Sequence, residues 1–210
     1  GGIAVIRVSG ADAVNIVDRV FSGGASLKEA KSHTVHYGHI IGKDSEPVDE
    51  VLVTVMLAPK SYTGENVVEI GTHGGLVASK NVLRRLIEAG AYPAEPGEFT
   101  KRAFLNGRID LAQAEAVADV IASQTEAQHR IAMNQLKGGY SAELGKVREQ
   151  LVELSALVEL ELDFSEEDVE FADRERLRGL LEGAAAKCEA LAGSFRVGNA
   201  IRSGVPIAIV

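Results

Sequence analysis

Glu69 interrupts an otherwise apolar run, Val67-Val68-Glu69-Ile70. A carboxylate in such a strand either faces solvent by alternation or is buried with a partner, and alternation alone favours solvent. Directly after it stands Gly71-Thr72-His73-Gly74-Gly75. A glycine-rich turn opening into a helix presents N–H groups and a positive dipole end to an anion. The plainer reading, a tight turn needing glycine for positive φ, outweighs it on spacing alone. His73 has no titratable partner fixed beside it by sequence. His33, His36 and His39 are spaced as for a helix but straddle a strand-like segment, and with His129 they form no recognisable ligand set. The acidic stretch from Glu159 to Glu170 holds seven carboxylates and no base, lacks the spacing of a calcium loop, and reads as a solvated connection. No GxxxxGK followed by Ser or Thr is present. The nearest approach, Gly139 to Gly145-Lys146-Val147, is one residue too long and lacks the magnesium-binding hydroxyl, so no nucleotide-binding residue is assigned.

The elements that must position these groups fall into two halves. Ile3 to Val8 reads as a strand, followed by a helix starting at Asp12 with Val14, Val17, Val20 and Phe21 on one side. Thr34 to Ile41 and Glu50 to Leu57 read as strands, joined by a polar turn. The turn Ser61-Tyr62-Thr63-Gly64 leads into the strand Val67 to Ile70, and Leu76 to Ala89 reads as a helix stopping before Gly90. This half is α+β with an antiparallel or mixed sheet. The second half reads as an all-α bundle of three long helices. The first runs from Leu111 to about Leu136 behind a capping box at Asp110 and Gln113, the second from about Ser141 to Phe164, and the third from about Arg174 to Gly198. Gly204 to Val210 reads as a turn and an apolar strand, which suggests a further α/β domain after it.

Composition sets outer bounds. The chain has 210 residues, 46% of them hydrophobic, enough for one large core or two small ones. Its single cysteine, Cys188, excludes a disulfide framework, fits a reducing compartment and reads as a small apolar residue on a helix face. No apolar run reaches the roughly 18 residues of a membrane helix, and the opening has no basic leader, so the expected location is cytoplasmic, away from membranes. Of the net charge of -8, most belongs to residues 108–210, with 11 Lys+Arg against 18 Asp+Glu; residues 1–107 carry 11 against 12. Bulk electrostatics therefore do not draw this chain to a phosphate backbone.

Two motif-dense segments, SYTGENVVEIGTHGG from Ser61 and PGEFTKRAFLNGRIDLAQAEA from Pro96, carry a resemblance. At these residues the chain resembles the N-terminal part of the MnmE (TrmE) family, GTPases that modify the wobble uridine of certain transfer RNAs. The resemblance covers nearly the whole chain. It implies a folate-binding and dimerising domain over residues 1–107, the first part of a helical domain over 108–204, and over 205–210 the first strand of a GTPase domain. That domain would hold GTP, Mg2+ and K+. The implied activity adds a carboxymethylaminomethyl-type group to carbon 5 of the uridine, with a one-carbon unit from 5-formyltetrahydrofolate or a related tetrahydrofolate. Implied partners are a second copy, the flavin-dependent MnmG (GidA) protein and transfer RNA. Arg7, Glu69 and Arg108 match the family's folate-binding positions, although many members carry lysine where Arg108 stands, and the two cations differ in geometry. Glu98, Phe99, Arg102, Phe104 and Asn106 are expected to support the pocket. Other readings in view are a folate-dependent one-carbon transferase without a GTPase, whose fold the first domain also resembles, and a non-catalytic folate-binding scaffold.

Overall fold

Alternation of buried and exposed residues builds the first half of the chain around one sheet. The structure is a computed structural model that describes residues 1–163 and 174–203. Its strands are β1 (Ile3–Ser9), β2 (Phe21–Gly23), β3 (Thr34–Ile41), β4 (Pro47–Met56) and β5 (Val67–His73), in the order β1-β5-β4-β3-β2. Every pairing is antiparallel, which decides between the antiparallel and mixed alternatives. On β4, Val51, Val53 and Val55 are buried, whereas Leu52 between them is exposed. The period of two thus aims one face at helices and leaves the other bare.

The covered face packs against α1 (Ala13–Asp18) and α2 (Leu76–Glu88), with Ile40, Val53, Ile70, Val17, Val82 and Leu86 at its centre. Asp12 stands at the start of α1 as expected, but its side chain makes no cap; its carboxylate accepts from the Asn15 amide instead. Phe21 departs from the expected helix. The helix ends at Asp18, and Phe21 opens the edge strand β2 opposite Ile40.

The glycine-rich turn is shorter than the sequence indicated, because Gly71 and His73 belong to β5. None of Gly71, Gly74 and Gly75 has positive φ. What Gly74 supplies is close approach: a Cβ there would lie 2.0 Å from the carbonyl oxygen of Gly1.

From Asp110 the chain forms a second compact unit of helices, the first unit being Gly1–Ile109. The helix expected over residues 111–136 is two helices, α4 (Leu111–Ala122) and α5 (Glu126–Leu136). Ser123 turns to extended backbone, and Thr125 and Gln128 form a second capping box that starts α5. Favourable Ala, Gln and Glu propensity across residues 111–136 masks this signal. The two helices form a hairpin, tied by the Gln113 side-chain amide donating to the Leu136 carbonyl (2.9 Å) and that of Gln135 to Ala112 (3.2 Å). Then come α6 (Gly139–Asp163) and α7 (Arg174–Ser203), which bury Val147 and Ala184 and join Lys187 to Glu143 at 3.1 Å. Cys188, read as apolar, is exposed on α7. The acidic connection between α6 and α7 and the strand expected over 205–210 lie outside the described residues, apart from the connection's first residues in α6. Among the described residues, no helix is long and apolar enough to cross a membrane.

Candidate functional site

Strand register brings Arg7 and Glu69 together. β1 and β5 pair antiparallel with Arg7 opposite Glu69, 62 residues apart in sequence and on the bare face of the sheet. The guanidinium donates from Nε to Glu69 Oε1 at 2.8 Å, and Nη2 lies 2.6 Å from the same oxygen. Both contacts fall on Oε1. Among the described residues no hydrogen bond reaches Oε2. The pair is about one-third exposed, so it is neither the solvated carboxylate of simple alternation nor a buried ion pair.

Two rings lie near the guanidinium. Its central carbon lies 5.3 Å from the centroid of Tyr62 and 5.5 Å from that of Phe99, distances at which a cation is attracted to an aromatic face. Tyr62 belongs to the β4–β5 connection and Phe99 to α3 (Glu98–Leu105). The two segments are latched. Arg102 on α3 donates to both carboxylate oxygens of Glu65 (3.3 Å each) and to Glu98 (2.7 Å from Nη2). Ser9 Oγ donates to Glu65 and shares a hydrogen bond with Thr63, while the Tyr62 hydroxyl meets Thr100 at 2.9 Å. Hydrogen bonds from Arg102 and the Glu95 N–H hold the Glu98 carboxyl below its ordinary range, and the Glu98 contact raises Arg102 in turn. Asn106 completes the latch by donating to the Thr63 carbonyl at 2.8 Å.

Arg108 takes a different place. Its Nε donates to the Ser61 carbonyl at 3.2 Å, and its stem crosses Gly64, where φ is +80° and a Cβ would sit 3.1 Å from Arg108 Cγ. The side chain is thus pinned to the loop that carries Tyr62, and among the described residues no hydrogen bond or ion pair joins it to the Arg7–Glu69 pair. Of the three positions matched by the resemblance, two meet directly and the third meets their supporting loop. Tyr62 was part of a recognised motif but carried no assigned role, because a cation over a ring depends on tertiary placement.

A cavity of about 370 Å³ opens beside Arg7, lined by Ile6, Leu83, Ile87, Tyr92, Phe99 and other residues. Its size is that of a small-molecule pocket. Arg7 and Phe99 belong to that lining, whereas Glu69 and Tyr62 stand beside it. A planar cation, a ring and an apolar wall suit a flat heteroaromatic ligand, and the neighbouring Glu69 carboxylate can accept from an N–H edge. A second, more open hollow of about 840 Å³ at the α4–α5 turn, lined by residues 123–127, His129 and Arg130, gathers no comparable set.

His73 has the titratable partner that spacing did not reveal. Its Nδ1 lies 2.6 Å from Asp49 Oδ1, and its backbone N–H donates to Asp49 Oδ2 at 2.9 Å. The imidazole is 67% exposed and the carboxylate only 8%. The hydrogen bond to Asp49 raises the imidazole above its ordinary value. Burial alone would raise the carboxyl, but its hydrogen bonds to the His73 side chain and backbone outweigh that and lower it. The other histidines stay apart: His36 bonds Thr34, His33 bonds Ser32, His39 sits edge-on to Tyr37, and His129 lies on α5 of the helical unit. Among the described residues no three His, Cys, Asp or Glu side chains converge as a metal site.

An antiparallel sheet unit carrying a cross-strand arginine–carboxylate site, followed by a helical unit, defines the class of this chain. Residues 1–108 match the family described as GTP-binding protein TrmE N-terminus, residues 111–206 match the MnmE helical domain, and the chain belongs to the MnmE (TrmE) family. Among its relatives, the tRNA modification GTPase MnmE of Parabacteroides distasonis is 51% identical over the whole of this chain and 46% of the relative. Those of Porphyromonas gingivalis and Flavobacterium johnsoniae are 52% and 50% identical over the whole chain, each match covering 45% of the relative. The chain spans about half the length of these curated relatives.

Proposed function

We propose that this chain is the folate-binding and dimerising part of a tRNA modification GTPase. Cross-strand pairing of Arg7 with Glu69, framed by Tyr62 and Phe99 beside an apolar cavity, carries the reading. A pterin offers a flat ring for the aromatic frame and an amidine-like N–H edge for the Glu69 carboxylate, a charge-assisted contact. In this reading Arg108, held at the Ser61–Gly64 loop, serves the polar tail of the ligand. When bound, 5-formyltetrahydrofolate or a related tetrahydrofolate supplies a one-carbon unit. The protein's part in this chain is to hold and orient that ligand.

The family and relatives named tRNA modification GTPase support the reading of the whole protein's activity. In this reading GTP, Mg2+ and K+ are held by a domain beyond the present sequence. The flavin-dependent partner MnmG joins in placing a carboxymethylaminomethyl-type group on carbon 5 of the wobble uridine in cytoplasmic transfer RNA. The relatives' names favour it over a folate transferase lacking a GTPase. Homodimerisation is supported by the bare sheet face, where Ile3, Val5, Val35, Tyr37 and Leu52 are each more than half exposed.

Titration calorimetry with 5-formyltetrahydrofolate tests the site. A charge-assisted hydrogen bond contributes about 1.5 to 3 kcal/mol, so Glu69→Ala should bind roughly ten- to a hundredfold more weakly while remaining folded. Equal affinity in the two proteins would sink the assignment. Light scattering at tens of micromolar, giving a monomer mass, would count against the dimer alone.

A further inference from the structure

The guanidinium of Arg7 has the chemistry of the ligand that Glu69 is proposed to bind. Both present a planar N–C–N unit whose N–H bonds point outward along one edge. In this structure that unit comes from the protein itself: it donates from Nε to Glu69 Oε1, with Nη2 2.6 Å from the same oxygen, and its central carbon lies 5.3 Å from the Tyr62 ring centroid and 5.5 Å from that of Phe99. We infer that Arg7 is an internal stand-in for the ligand's aminopyrimidine edge, and that binding proceeds by exchange, Arg7 leaving Glu69 as the ligand arrives.

The alternative is addition, with the ligand taking the free Oε2 while Arg7 stays. Counting hydrogen bonds decides between them. Two parallel N–H bonds from a planar edge to a carboxylate require both oxygens, one for each bond. Oε1 already accepts from Arg7 Nε and lies 2.6 Å from Nη2. A ligand added at Oε2 would make one bond, at an angle set by the guanidinium beside it, and the aromatic frame would still be filled. Exchange gives the ligand both oxygens and the rings.

The exchange is also cheap for the arginine. The pair is about one-third exposed, so a displaced guanidinium regains water and leaves no buried charge behind. It remains tethered through β1 in the lining of the 370 Å³ cavity, where it can turn to carbonyl or carboxylate groups elsewhere on the ligand. Until then the stand-in neutralises Glu69 and sets a threshold. A ligand lacking a guanidine-like edge cannot replace what Arg7 already provides, so Arg7 acts as a specificity-determining residue against flat rings that merely stack.

This inference rests on the folate reading, and two measurements separate their failures. Calorimetry with 5-formyltetrahydrofolate first establishes binding to the wild-type chain. A crystal structure of that complex then reports the contact. Exchange requires the ligand's N–H edge on both Glu69 oxygens and loss of hydrogen-bond distance between Arg7 and Oε1. Binding with Arg7 still on Oε1, the ligand at Oε2 or away from Glu69, overturns the exchange and leaves folate binding standing. Absence of any calorimetric binding removes the folate reading, and the exchange with it.

Discussion

The two units of this chain bury their apolar residues differently. In the sheet unit, Ile40, Val53, Ile70, Val82 and Leu86 are at most 1% exposed. In the helical unit the buried apolar residues among those described are Ala116, Ala132, Val147 and Ala184, and larger ones stay out: Leu144 is 43% exposed, Leu151 48% and Val152 53%. A closed core fixes backbone positions closely, because packed side chains resist small displacements. The candidate site uses that rigidity, since Arg7 and Glu69 stand on two strands whose opposite faces enter the core. The helical unit holds itself by local means, two capping boxes and the α4–α5 hairpin ties, and keeps large apolar side chains at its surface.

The sharpest break of this contrast is a matched pair of truncations. Ile70→Ala should cost about 2 to 5 kcal/mol, the range for emptying a closed core, and Leu151→Ala much less. Amide hydrogen exchange read separately on β5 and on α6 checks both, since two units need not unfold as one. Comparable losses at the two positions would erase the distinction.

Next in size is the latch. Arg102→Ala removes the cation shared by Glu65 and Glu98, leaving Glu65 to Ser9 and Glu98 to the Glu95 N–H, and so loosens the β4–β5 connection from α3 and the common frame of Tyr62 and Phe99. Ligand affinity should fall several-fold, and protection of the β5 amides should hold. Affinity unchanged by calorimetry would show that Tyr62 and Phe99 are placed without the latch.

Smaller is the cap of α4. Asp110→Ala removes the carboxylate that accepts the Gln113 N–H at 2.8 Å and should lower helical-unit stability by about 1 kcal/mol. Thermal melts followed by circular dichroism at a helix band, beside ligand titration of the same variant, should show a shifted melt and an unshifted affinity. A lost affinity would mean that the helical unit helps to set the site.

What the sequence disclosed follows the same division. Strand β3 was legible from its β-branched and aromatic residues, β5 as a short apolar run closed by a glycine-rich turn, and α2 because its helical spacing coincides with one buried face. Capping at Asp110 was legible because its signal is local, whereas the identical signal at Thr125 was hidden inside a run of strong helix formers. Phe21 was misplaced because an apolar residue one turn past a helix fits either element. At the site, Arg7 and Glu69 were singled out by resemblance, but their pairing depends on β1 lying beside β5, a long-range register that local pattern does not encode. Asp49 was missed as the partner of His73 for that reason, being 24 residues away and on another strand.

The mildest effect tests that second pair through pH. Asp49 holds His73 above its ordinary value of 6.5, and His73 holds Asp49 below 3.8 despite the opposing effect of burial. A raised imidazole contributes stability that is fully present below about pH 6.5 and is lost as pH rises through its folded-state value. A lowered carboxyl contributes stability present above about pH 3.8 and lost as pH falls through its own folded-state value. The pair therefore supports the end of β5 best between about pH 4 and 6.5. Glu50, the other acid near His73, adds to the upward shift, while its Oε1 accepts from the Tyr37 hydroxyl at 2.7 Å. An NMR titration of the His73 ring should show a midpoint above 6.5 in the wild type and a return towards 6.5 in Asp49→Asn. The same variant should lose the pH dependence of β5-end exchange while Arg7 and Glu69, four residues away along the strand, keep their ligand affinity. An imidazole that titrates identically in both proteins would mean that Asp49 serves only the backbone N–H of His73, and the pH dependence would then belong to another group.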